Sequence, residues 1–276
     1  AGQYDRALEY LQSSLRLHQQ APERALEQLA RTYRVLGTTY DQMGNVQQAE
    51  QYLFAGLQYY EQLYAEEPWN LAGIYLDLAV FYLQQRRGQA VVQYAQQARA
   101  QFDQIADADK YDEDWIGLAK AYNNEALGYE LQKSYNQAIE SYTRALQINQ
   151  RFGTAQRAEI AKIYNNLAYV YRNDGRPKQG LEPIEKAIAI GEKLERAGDL
   201  ADFLHTKATL LNDLRQAEQA LHIQQEAIRL AVPGFNPTDD FENPPVQTDV
   251  RTSKINFVEY LDEKARSLQL LAEKTQ

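Results

Sequence analysis

Apolar and small residues recur along the chain at spacings of i, i+3, i+4 and i+7, which is the pattern of one buried face of an α-helix. One copy reads Tyr164, Leu167, Ala168 and Tyr171, and the third position is small in every copy. These small residues lie at 37, 79, 126, 168, 208 and 265, in steps of 42, 47, 42, 40 and 57 residues. Self-similarity at such a period predicts a stack of repeats in which each repeat contacts only its neighbours.

A second helical pattern follows each first one after a short turn. Gly44 and Gly175 suit the C-terminus of a helix, and Pro177 suits the first turn of the next one. Each repeat is therefore predicted to be a helical hairpin within one repeat domain over 1–276. The predicted parts are a second helix of a truncated repeat at 1–20, full repeats at 22–66, 68–106, 112–151, 154–197 and 199–231, a Pro-rich acidic spacer at 232–250, and a first or capping helix at 251–276.

The stretch 164–171, followed by Gly175 and Gly180, resembles the tetratricopeptide repeat (TPR). The resemblance covers nearly the whole chain except about 232–250. The repeats are longer than the usual length of about 34 residues, and they are similar to the longer variety found in kinesin light chains and bacterial peptide-sensing regulators. This resemblance implies an all-α fold, a right-handed α-solenoid of stacked antiparallel hairpins.

Three charged residues depart from the family pattern, because Glu125, Lys207 and Lys264 stand where Leu is expected. We expect these positions to lie at the rim of a helix pair. Alternatively, the lysine stems cover apolar surface while the charged heads reach water.

The composition narrows the functional classes. A net charge of −9 and a pI of about 5.0 argue against binding of nucleic acid. No apolar run is long enough for a transmembrane helix, and the chain has no Cys for disulfide or thiol chemistry. We expect a cytoplasmic protein without membrane association.

Motifs for catalysis or metal binding are missing from the sequence. His18, His205 and His222 have no metal-ligand spacing, and no phosphate-binding loop or nucleophile elbow is present. The acidic run 107–114 has the alternation of a calcium loop but lacks its Gly and its terminal Glu, so a solvated loop is expected. We predict a non-enzymatic protein with no metal or cofactor.

The first helix of each hairpin carries the candidate binding residues, because the family resemblance places these helices along a concave groove. Asn side chains offer both a donor and an acceptor to the backbone of an extended peptide, and cations add charge-assisted bonds. The candidates are Arg31, Arg34, Leu76, Lys120, Asn123, Asn124, Lys162, Asn165, Asn166, Tyr169, Arg172 and His205. A competing interpretation is that the Asn residues only bridge helices and that the cations are merely solvated.

The leading hypothesis is therefore a scaffold that binds a peptide or protein segment, as the sensor or docking part of a larger protein. The stretch 257–268 also resembles repeats that precede caspase-like CHAT proteases in bacteria, so a regulatory region of such a protease is an alternative. Assembly into oligomers is another. The ends read as half repeats, which predicts a piece of a longer repeat protein unless both end helices are natural caps. The spacer at 232–250 is expected to be extended, or else to fold over the groove.

Overall fold

The structure, a computed structural model, describes residues 2–20, 25–64, 67–244 and 257–274. Apart from one short 3₁₀ helix, the regular structure of these residues is α-helical. The helices are α1 (Gly2–Gln19), α2 (Leu26–Gln42), α3 (Val46–Leu63), α4 (Pro68–Gln84), α5 (Gly88–Asp103), α6 (Asp112–Leu131), α7 (Tyr135–Gln150), α8 (Arg157–Asn173), α9 (Pro177–Leu194), α10 (Ala197–Asp213), α11 (Ala217–Ala231) and α12 (Phe257–Lys274). The predicted all-α repeat of helix pairs is confirmed.

The chain divides into two compact units, unit 1 (Ala1–Ile148) and unit 2 (Asn149–Gln276). In unit 1, α2 packs on α3 and α4 packs on α5; in unit 2, α8 packs on α9 and α10 packs on α11. First helices of successive hairpins also contact each other, α2 with α4 and α4 with α6 in unit 1, and α8 with α10 and α10 with α12 in unit 2. Each unit thus presents a layer of neighbouring first helices.

The turns within the hairpins share one backbone feature, a residue in the left-handed conformation. Gly44 and Gly175 have φ of 75° and 73°, a conformation that glycine adopts without steric cost. The amide of Gly44 donates to the carbonyl of Asp41, and the next amide donates to the carbonyl of Tyr40, which terminates α2. The equivalent turns at Arg86, Lys133 and Arg215 adopt the same conformation without glycine.

The repeat signature forms the interior of the hairpins. Leu36, Leu78 and Ala168 are fully buried. A Cβ on Gly37 would lie 2.6 Å from Cγ of Leu53, so a small residue is required where the two helices of a hairpin cross. The recurring small residue is therefore a packing requirement.

The departures from Leu are explained by buried polar contacts, which corrects part of the sequence interpretation. Glu125 is 3% exposed and accepts hydrogen bonds from Nη1 of Arg99 and Nε2 of Gln96, both at 2.9 Å. Lys264 is 2% exposed. Neither head group reaches water, so the rim interpretation is wrong for these two residues. Lys207 is half-buried and pairs with Glu185 at 2.7 Å.

The acidic run before α6 begins that helix. Asp112 and Asp114 lie in its first turn, where carboxylates interact favourably with the helix dipole, and Oδ2 of Asp114 accepts from the amide of Tyr111 at 2.9 Å. Lys110 donates to the carbonyl of Ile105 and to Asp107.

Across the described residues, no group of three or more His, Cys, Asp or Glu side chains is arranged to hold a metal ion. None of the helices described there is both long and apolar enough to cross a membrane.

Candidate partner-binding site

The exposed face of the first helices in unit 1 lies on α2, α4 and α6. On α4, Leu78 and Ala79 are fully buried, whereas Val80 is 42% exposed. Leu76 is half-buried and packs against the core below it. Other half-buried residues of these three helices are Thr38, Asp41, Leu83, Leu127 and Glu130. The predicted register therefore brings the expected positions to a partly solvated face, part of which is apolar.

The cations of α2 are paired with carboxylates. Nε of Arg34 donates to Oδ2 of Asp77 at 2.5 Å, and Nη2 donates to the carbonyl of Gly73. Arg31 forms a more exposed pair with Glu27 one turn earlier, at 2.7 Å. Arg34 thus joins α2 to α4, and its charge is already neutralised by the neighbouring repeat. This residue stabilises the stack, which the sequence interpretation did not anticipate.

The predicted amides of α6 behave differently from the cations. Asn123 is half-buried, and Asn124 is 8% exposed. Neither amide makes a side-chain hydrogen bond within the part of the chain that the structure describes. Lys120, one turn before Asn123, is exposed and has no ion-pair partner among those residues. Amides in folded proteins are normally satisfied by protein or by ordered water, so these unbonded amides distinguish α6 from the paired cations of α2.

Glu130 adds a titratable group to the same helix. Burial raises the pKa of its carboxyl to about 7, although a hydrogen bond from Tyr142 at 3.3 Å and the charge of Arg86 favour the ionised form. The charge on this face therefore changes near neutral pH.

In unit 2, the corresponding face on α8 carries the second Asn doublet. Oδ1 of Asn165 is buried and has no hydrogen-bond partner, and Asn166 is half-buried with no side-chain bond to the described chain. Tyr169 is 42% exposed. Lys162 pairs with Glu159 at 3.0 Å. Like α6, α8 therefore carries an Asn doublet, and Tyr169 adds exposed apolar surface to it.

Arg172, at the end of α8, belongs to an ion cluster that joins three first helices. Its Nε donates to Oδ2 of Asp213 at 2.7 Å, and Arg266 of α12 donates to Oδ1 of the same carboxylate at 2.6 Å. A cavity of about 550 Å³ borders the cluster. Like Arg34, Arg172 is thus neutralised by an aspartate of the neighbouring repeat.

His205 lies in the interior of unit 2, where the sequence interpretation expected it to face the groove. It is 7% exposed, its Nδ1 lies 3.1 Å from Oε1 of Gln224, and its ring stacks on Tyr260 of α12 with centroids 4.6 Å apart. Burial lowers the pKa of this imidazole. The physical reason is that α12 covers α10, so His205 is not part of the exposed face.

The sequence reasoning missed the partners of the cations. Asp77 lies 43 residues beyond Arg34, and Asp213 lies 41 residues beyond Arg172. Asp41 and Gln84 form a third such bond over 43 residues. Equivalent positions on adjacent first helices are spatial neighbours. Complementary polar residues one repeat length apart in the sequence could therefore have revealed these pairs.

These features define a class, a repeat scaffold of helical hairpins with a solvated first-helix face. The family profile of the tetratricopeptide repeat matches residues 1–62 and 117–193, just over half of the chain. The chain therefore belongs to the tetratricopeptide repeat family, whose stacked helix pairs offer extended surfaces for protein–protein interaction.

Solved structures share this fold at low sequence identity. BtubC (BKLC) from P. vanneervenii is 22% identical, with 92% of this chain and 96% of that chain covered and a TM-score of 0.69. The apo form of RapI is 16% identical over 73% of this chain and 70% of its own, at a TM-score of 0.65. A putative kinesin light chain from Podospora anserina is 18% identical over 72% and 93%, at 0.61. These likenesses show the fold alone. A search among curated proteins gave no match.

Proposed function

We propose that the chain is a non-enzymatic scaffold that binds extended peptide segments on its exposed first-helix faces. One such face is formed by α2, α4 and α6 in unit 1, and another lies on α8 in unit 2. The observation that supports this most directly is the set of unbonded amides of Asn123, Asn165 and Asn166. Asn123 and Asn165 occupy equivalent positions of successive first helices. Asn123 and Asn166 each offer a donor and an acceptor to a peptide backbone, whereas Asn165, whose Oδ1 is buried, offers its Nδ2 as a donor.

The chemistry of the face favours a partner with apolar side chains between its backbone contacts. Val80 on α4 and Tyr169 on α8, both 42% exposed, supply apolar surface on the first helices of the two units. Arg34 and Arg172 are held by aspartates, so they organise the faces of their own units. Lys120 on α6 is an exposed cation without an ion-pair partner among the described residues. We propose a sensor or docking role within a larger intracellular protein.

The proposal is tested by selecting peptides from a random display library on the purified chain and measuring their dissociation constants by calorimetry. Asn123→Ala and Asn165→Ala are each expected to weaken binding by about tenfold, the effect of losing a hydrogen bond to a backbone group. Val80→Asp is expected to weaken it further, because it places a charge on apolar contact surface.

Matched controls lie on second helices of the same units. Gln51→Ala on α3 and Gln219→Ala on α11 remove exposed amides without touching the proposed face, and both variants should bind as wild type does. Equal affinity for the Asn variants and for these controls would exclude the proposed site.

A further inference from the structure

The segment that follows α11 folds back onto that helix. Phe235 packs against the core of unit 2, and residues 237–242 lie beside Gln225 of α11 and Lys264 of α12. The sequence interpretation offered an extended spacer or a cover over the groove. The described part of the spacer, up to residue 244, instead lies against a second helix; residues 245–250 are outside the described part of the chain.

Beside the packing of Phe235, three hydrogen bonds to main-chain carbonyls hold this segment. Nε2 of Gln225 donates to the carbonyls of Asp239 at 3.2 Å and Glu242 at 3.0 Å. Gln225 is 3% exposed beneath the segment. The side chain of Phe241 is 64% exposed, and Oε2 of Glu242 accepts from the amide of Thr238 within the segment. Another peptide in the same turn conformation offers the same two carbonyl acceptors to Gln225.

Lys264 completes the carbonyl-binding group. Its Nζ donates to Oε1 of Gln225 at 2.7 Å and to the carbonyl of Glu242. A buried ammonium requires such acceptors, because an unpaired charge in the interior is costly. Lys264 stands at the Leu position of the repeat, so this departure places a charged donor where the other repeats place a packing residue.

The segment is shaped and charged to fit these donors. Oδ1 of Asp239 accepts from the amides of Phe241 at 2.7 Å and Glu242 at 3.1 Å, which fixes a tight turn. Oδ2 of Asp240 lies 3.3 Å from Nδ1 of His222. Asp239 and Asp240 line a cavity of about 330 Å³ between segment and helix, together with His222, Glu226 and Arg229 of α11. The negative charges of Asp239, Asp240 and Glu242 also favour the charged form of Lys264.

We propose that the face of α11 and α12 centred on Gln225 and Lys264 is a second peptide-binding surface, specific for an acidic turn-forming peptide, and that residues 233–244 occupy it as an internal ligand. An external acidic peptide of this conformation displaces the segment. A tethered segment is present at millimolar effective concentration, so the surface is masked in the resting chain. The site is separate from the first-helix face and does not depend on the function proposed for that face.

The test uses a fluorescent peptide with the sequence of residues 233–244 and measures its anisotropy with the full chain. In the Asp239→Ala variant, the internal turn is weakened, so the labelled peptide should bind at least tenfold more tightly than to wild type. Adding Gln225→Ala to that variant should abolish the gain, whereas adding Gln219→Ala, on the same helix but away from the segment, should preserve it. A scrambled peptide of the same composition should not bind.

Hydrogen–deuterium exchange of residues 235–244 provides the second readout. Asp239→Ala and Lys264→Leu, which restores the family residue, should both speed exchange of this segment while circular dichroism shows the helices intact. Unchanged exchange in both variants would overturn the proposed latch. Released exchange without peptide binding, or binding that survives Gln225→Ala, would overturn the proposed binding surface.

Discussion

Two asparagines of unit 2 illustrate how differently one residue type is used. Asn212 is 1% exposed, and its Nδ2 donates to Oγ of Ser267 at 2.8 Å and to Oε1 of Glu263 at 2.7 Å. Oδ1 of Asn165 is buried without a partner. Asn212 therefore joins α10 to α12, whereas Asn165 bears an unsatisfied acceptor that does not stabilise the fold.

Replacing these two residues separates stability from binding. Asn212→Ala should lower the free energy of unfolding by about 2 kcal/mol, because it breaks hydrogen bonds and leaves buried partners unsatisfied. Asn165→Ala should leave that free energy unchanged or raise it by about 1 kcal/mol, because an unpaired buried acceptor is removed. Urea denaturation of both variants measures the difference. A large destabilisation by Asn165→Ala would indicate a structural role instead.

His205 makes the stability of unit 2 depend on pH. Burial holds the pKa of its folded state below the ordinary value of 6.5, so the folded state favours neutral imidazole against Gln224 and Tyr260, with Arg172 and Glu263 nearby. The stabilisation is present above pH 6.5 and is lost as the pH falls below it, because the unfolded state then binds the proton more readily.

The His205→Gln variant carries no such group. Relative to this variant, wild type should therefore lose unfolding free energy as the pH falls from 7.5 to 5.5. Glu130, whose pKa of about 7 adds folded-state stability as the pH falls through this range, is common to both proteins and cancels in the comparison. Parallel pH profiles for the two proteins would contradict the assignment of a depressed pKa to His205.

At the scale of the helices, the polar bonds between first helices set the register of neighbouring repeats. Asp77 receives Arg34, and Asp213 receives both Arg172 and Arg266. These pairs join helices from successive hairpins, whereas the pair of Arg31 and Glu27 lies within one helix. The pair between helices should have the larger coupling free energy, because its side chains are less exposed to solvent than those of the pair within one helix.

A double-mutant cycle on Arg34→Met and Asp77→Ala should give a coupling free energy of about 1–2 kcal/mol. The same cycle on Arg31→Met and Glu27→Ala, whose side chains are 69% and 49% exposed, should give less than about 0.5 kcal/mol. Thermal denaturation of wild type and the six variants measures both couplings. Equal coupling in the two cycles would show that the pair between helices does not fix the register.

The helical hairpins were predictable because the signature encodes packing directly. A small residue at 37 is required where Leu53 crosses, and this requirement recurs visibly in the sequence. The burial of Glu125 and Lys264 was not predictable from the same signature, because it depends on Arg99 and on the main-chain carbonyl of Glu242, which come from other elements. The stacking of Tyr260 on His205 was also not predictable, because Tyr260 comes from another helix, α12.

At the scale of the molecule, each of the two units has its own core and its own first-helix face, on a chain with a net charge of −9. The acidic composition argued against binding of nucleic acid, and the fold provides the extended surface that is typical of protein-binding repeats. The candidate site was predictable as a register of positions. The structure was needed to tell which of those positions carry unpaired groups. Arg34 and Arg172 are paired with aspartates of the neighbouring repeats, whereas the amides of Asn123 and Asn166 make no side-chain hydrogen bond within the described residues.

Site-specific photo-crosslinking to a selected peptide tests the central claim most directly. Benzoylphenylalanine at Val80 or Tyr169, on the proposed faces, should crosslink to the peptide, and an excess of unlabelled peptide should suppress the crosslink. The same group at Gln51 or Gln219, on second helices, should give none. Crosslinking from the second-helix positions with none from Val80 and Tyr169 would contradict the account.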